Sequence, residues 1–146
     1  MDYTFTYEEI IDMILSFYTF TQGYWKDEID QYPSVKAFVN MEGLTKANDE
    51  HPNLIVLTKK GGDYFHEYIK EISEKFILFA KSKGLEVSHE DAKEWFVKEY
   101  NLNDEYTGEE IADYICGNLY HYGFKAGNAY SRRKGEFYHL EPVSES

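Results

Sequence analysis

The chain has 146 residues, long enough for one sizeable core or two small ones. Hydrophobic residues make up 42% and aromatic residues 18%, which excludes disorder because that much apolar surface offsets the entropy of ordering the chain. With 15 basic and 27 acidic side chains the net charge is -12, which excludes attraction to nucleic acid or an anionic membrane except through a local patch.

In chain order, helix starts are marked by a hydroxyl residue with an acid three positions later, the spacing at which side chain and backbone cap each other. Thr6 with Glu9 opens a helix whose Ile10, Ile11, Ile14, Leu15 and Tyr18 form one apolar stripe, ending near Gly23. An acidic segment over 25–32 leads to Pro33, suited to a first helical turn, and a helix over 34–41. After Gly43 and a turn-rich stretch, Leu54-Ile55-Val56-Leu57 is the strongest strand signal and closes a hairpin. Gly61-Gly62 interrupts, and Asp63 is expected to cap a long helix to Lys83, stopped by Gly84 and shared by the two halves. Ser88 with Asp91 opens a helix with Ala92, Trp95 and Phe96 buried. Thr107 with Glu110 opens another with Ile111, Ile115 and Leu119 on one face, ended by Gly123. A second hairpin follows, and 141–146 is expected to fray. Cys116, the single cysteine, falls inside a helical pattern and reads as a small buried thiol.

Two stretches repeat one order: amphipathic helix, apolar-Gly-apolar step, and a hairpin whose return strand closes on Leu. The first runs through Val35, Phe38, Gly43 and Leu44 to Leu57, and the second through Ile115, Leu119, Gly123 and Phe124 to Leu140. Glu110-Ile111-Ala112-Asp113-Tyr114-Ile115 resembles the first helix of a helix-turn-helix. Leu119-Tyr120-His121-Tyr122-Gly123-Phe124, with its basic loop and Phe137-Tyr138-His139-Leu140, is similar to the end of a recognition helix and its wing. Met41-Glu42-Gly43-Leu44 and Leu57-Thr58-Lys59-Lys60-Gly61-Gly62 resemble the winged-helix ending in which a strand-closing Leu-Thr precedes a Gly and a final helix. The resemblance to the winged-helix superfamily implies an α+β, mainly helical fold. Two winged-helix-like units over 1–62 and 85–146, each with a short β-hairpin wing, would be joined by a helix over 63–84. The stretch 109–122 is too short for two full helices, so the second pair is expected to be compressed or fused. This scaffold serves both DNA-binding regulators and protein adaptors, so it implies binding without naming the partner.

Lys125, Arg132, Arg133 and Lys134, with Tyr130 among them, lie where no Asp or Glu occurs between Asp113 and Glu136. Cations there would meet phosphates while rings, including nearby Tyr120 and Tyr122, stack on bases or sugars. About four neutralised phosphates suffice for weak, salt-dependent binding. The competing readings are a solvated hairpin tip or a wing docking on a second copy. The opposite candidate is a partner surface formed by Trp25, Asp27, Glu28, Asp30, Glu109, Glu110 and Asp113. Carboxylates in a phosphate-like row would occupy the cationic groove of a nucleic-acid-binding enzyme, as DNA-mimicking inhibitors of phages and mobile elements do. Tyrosine and tryptophan supply rigid contact area, and plain solubility is the competing explanation for the acids.

No chemistry is expected. The five histidines, His51, His66, His89, His121 and His139, lack metal-ligand spacing. Gly61-Gly62 is followed by Asp63 rather than a phosphate-binding cation or hydroxyl. The expectation is a non-catalytic regulator or adaptor without metal or cofactor. Its partner is another protein or, through the wing, nucleic acid. A homodimer is compatible with the scaffold, although no heptad seam argues for one. No run reaches the roughly 20 apolar residues of a membrane helix, and Met1-Asp2-Tyr3-Thr4 lacks the basic start of a signal peptide. A cytoplasmic protein without membrane contact is therefore expected.

Overall fold

The computed structural model describes residues 4–20, 22–129 and 136–143. It is an α+β, mainly helical fold in which the chain divides into two units, 1–68 and 69–146.

The first unit contains α1 (Tyr7–Tyr18), β1 (Tyr24–Trp25), α2 (Lys26–Ile29), α3 (Pro33–Val39), β2 (Thr45–Ala47), β3 (Leu54–Leu57) and the first turns of α4 (Lys59–Ser82). The α1 cap is reciprocal: the Glu9 backbone N–H donates to Thr6 Oγ1 at 3.1 Å, and the Thr6 N–H donates to Glu9 Oε1 at 2.9 Å. β3 pairs antiparallel with both neighbours, giving the order β1-β3-β2. The core is aromatic. Phe38 and Phe65 have ring centroids 4.8 Å apart, and Phe17 lies 5.9 Å from the first and 5.8 Å from the second. Burying each such ring contributes about 1.5–3 kcal/mol.

The second unit contains the rest of α4, β4 (Glu86–Ser88), α5 (His89–Glu99), α6 (Glu105–Gly117), a 3-10 helix (Leu119–Tyr122), β5 (Phe124–Gly127) and β6 (Phe137–Pro142). Its sheet has the order β4-β6-β5, again antiparallel. Both units therefore run helix, strand, helix, helix, strand, strand, with the first strand bonded to the third. Phe76 stacks on Phe96 at 5.3 Å and Phe79 on Trp95 at 5.3 Å, and Ile111, Ile115 and Leu119 are fully buried in the same unit.

Three expected boundaries move. α4 begins at Lys59 rather than Asp63, because the Thr58 hydroxyl accepts from the Gly61 N–H at 3.1 Å and starts the helix ahead of the glycines. Gly61 is required there: a Cβ would run into the Leu44 carbonyl oxygen. α6 is capped by Asp104, which accepts from the Thr107 N–H at 2.7 Å, so Thr107 lies inside the helix. Within 109–122 the chain holds the end of α6 and, after Asn118, the four-residue 3-10 helix, which is a compressed pair rather than two full helices. Finally, β6 runs on to Pro142, and the Val143 N–H donates to the Gly123 carbonyl at 2.9 Å, so 141–143 is held.

Candidate functional site

The acids singled out on α6 do not form one surface. Glu109 is exposed and Glu110 half-buried, whereas Asp113 is 1% exposed. The Tyr138 hydroxyl donates to Asp113 Oδ1 at 2.5 Å, and the His89 ring stacks on Tyr138 with centroids 4.0 Å apart. Asp113 is therefore a polar anchor inside the second unit, and its place among partner-contacting acids is corrected. The alternation of buried Tyr138 and Leu140 with exposed Phe137 and His139 along β6 aims the tyrosine inward. Beside it, burial pushes the Cys116 thiol well up, and the Asp113 carboxylate adds to that effect, so the thiol stays protonated.

Lys125 is exposed on β5, directly across from Glu141 on β6, so an acid shares its face of the sheet. The rest of the basic cluster, Tyr130, Arg132, Arg133 and Lys134, lies outside the described residues. Of the nearby rings, Tyr120 is 58% exposed, while Tyr122 is half-buried and offers less of its face for stacking.

The first unit does bring its candidates together. Trp25 pairs with Leu54 at the end of β1, and the next residue's N–H donates to the Asn53 carbonyl at 2.8 Å, which fixes the chain as it enters α2. Trp25 is left 38% exposed. Asp27 and Asp30 are exposed, and Asp30 pairs with Lys36 at 3.4 Å, a solvated pair worth little. Glu28 is half-buried and lies between two depressions. One, of about 410 Å³, is bounded by Trp25, Lys26, Asp27 and Asn53. The other, of about 330 Å³, lies against α1 and α3 and is lined by Asp12, Phe20, Tyr24 and Tyr32 among others.

That second cavity was not anticipated from the sequence, although Tyr24 and Tyr32 bracket the acidic segment and Phe20 falls beyond the α1 stripe. Gly23 makes it: a Cβ there would run into the Ile55 carbonyl oxygen, so only glycine lets the chain turn from α1 onto β3 this closely. Burial pushes the Tyr24 phenol up to about 12; a hydrogen bond with Ser16 pulls it back, and Asp12, Tyr32 and Glu28 push it further up.

A cleft of about 450 Å³ beside α5 carries both charges. There Lys93 pairs with Glu90 at 2.9 Å and Glu105 at 3.8 Å, so the charge is largely satisfied within the fold. Among the described residues, no group of three or more His, Cys, Asp or Glu side chains is placed to hold a metal ion, and no helix is long and apolar enough to cross a membrane. Compared with protein-family models, curated proteins and solved structures, the chain matches none.

Proposed function

We propose that the protein acts by binding, without chemistry, as an acidic ligand for a cationic surface on another protein, in the manner of a regulator or a nucleic-acid-mimicking inhibitor. The observation that carries this reading is the exposed Trp25 beside Asp27, Glu28 and Asp30, where an aromatic anchor stands in a negative field next to two depressions. The net charge of -12 supports it, since complementary fields steer encounter and exclude like-charged partners. We also read each unit as winged-helix-like, a reading supported by the repeated element order and strand pairing.

A basic peptide of alternating lysine and arginine, titrated at about 0.15 M salt, tests the site. Asp27→Lys with Asp30→Lys is expected to weaken binding at least about tenfold more than Glu67→Lys with Glu99→Lys, which removes the same charge elsewhere. Equal losses would reduce the interaction to net charge and refute the site. Retardation of duplex DNA by the parent protein at the same salt would favour the nucleic-acid reading instead.

A further inference from the structure

The cavity between Glu28 and α1 has a composition that narrows its occupant. Its inner face is Tyr24, 8% exposed and held edge-on against Phe17 at 5.2 Å. Phe20 and Tyr32, 47% and 46% exposed, form its outer rings. Tyr24 and Tyr32 lie 6.4 Å apart with their planes at 53°, so two aromatic faces meet at a corner. Asp12 and Glu28 line the same cavity as Tyr24, so two carboxylates border its aromatic rings. Among the described lining residues none is lysine or arginine.

Each feature favours a cation, and together they favour one kind. An aromatic face attracts a cation within about 6 Å of its centroid. A guanidinium is planar and weakly hydrated, so it stacks on rings and donates in a fork to carboxylates, whereas an ammonium holds its water more tightly. The volume of about 330 Å³ lies at the small end for ligand sites, which suits one long side chain better than a cofactor.

We propose that this cavity is a socket for a single arginine side chain presented by the partner protein. The guanidinium lies against Tyr32 and Phe20 and donates to Asp12 and Glu28. The proposal rests on the binding reading above and gives that acidic surface one anchored contact.

The probe is the blocked pentapeptide acetyl-Gly-Gly-Arg-Gly-Gly-amide, titrated into the full chain at about 0.15 M salt and followed by NMR of the aromatic side chains. Lysine and citrulline versions are titrated alongside. The arginine peptide is expected to shift the Phe20, Tyr24 and Tyr32 rings saturably, the lysine peptide to bind several-fold more weakly, and neutral citrulline to give no saturation. Asp12→Asn with Glu28→Gln should weaken the arginine peptide about tenfold. Glu67→Gln with Glu99→Gln, which removes the same charge outside the cavity and outside the wider acidic site, should change it less than about twofold. Tyr32→Leu, at an exposed position, gives a second route to the loss should the double variant misfold. No shift at these rings, equal shifts with citrulline, or equal losses for the two double variants would overturn the socket, and lysine binding as well as arginine would overturn the guanidinium assignment. If the rings stay silent while Asp27→Lys with Asp30→Lys still abolishes binding of the basic peptide, the socket fails and the wider acidic site stands.

Discussion

Tyr138→Phe tests whether Asp113 belongs to the interior or to a surface. The substitution keeps the ring stacked on His89 and removes only the hydroxyl that donates to Asp113 Oδ1 at 2.5 Å. A hydrogen bond to a charged group contributes about 1.5–3 kcal/mol, and at 1% exposure water cannot replace the lost donor. With a urea slope of about 2 kcal/mol/M, the unfolding midpoint should fall by about 1 M. The assay is urea unfolding in a Trp25→Phe background, where Trp95 alone reports on the second unit. A double-mutant cycle with Asp113→Ala should give a coupling of about 1–2 kcal/mol, because each single change already removes the same bond. Asp113→Lys should unfold the second unit, since it buries an unmatched cation where an acceptor stood. A Tyr138→Phe midpoint within error of the parent, together with a normally folded Asp113→Lys protein, would refute the interior assignment and return Asp113 to the acidic surface.

Two further outcomes follow from packing and from titration. Gly61→Ala should destabilise by about 1–3 kcal/mol because its Cβ meets the Leu44 carbonyl, whereas Gly62→Ala, whose Cβ finds only the Tyr18 hydroxyl at 3.7 Å, should stabilise by about 0.5–1 kcal/mol; thermal melts of the pair must move in opposite directions. Stability should fall between pH 10 and about 12, because the unfolded chain ionises its tyrosines first while Tyr24 and Tyr64 are held up to about 12 in the fold. Tyr24→Phe should flatten that slope in part, and an unchanged slope would show that burial does not perturb the phenol.

Much of the fold was legible because it is written in local rules. The Thr6–Glu9 box, Pro33 in a first turn and the Leu54–Leu57 strand are short-range matters of dihedral preference and backbone hydrogen bonding, and each lies where its pattern put it. The repeated order of helix and hairpin was visible because each unit must bury one apolar stripe, which forces the same periodicity twice. Boundaries were less legible where two caps compete: Thr58 and Asp104 start their helices ahead of Asp63 and Thr107, a choice made by the space beside Gly61 and by hydrogen-bond geometry.

By itself the sequence determined the class of fold, the acidic net charge and the placing of Trp25 among acids. These depend on composition and on neighbours a few residues apart. Only the tertiary structure decided that Asp113 is buried under a tyrosine 25 positions away, and that Asp12 and Phe20 share a cavity with Tyr24 and Tyr32. The physical reason is the same in both cases. A carboxylate carries the same formal charge in water or beneath a ring, and what it does depends on solvation and on partners brought close by the packing of distant elements.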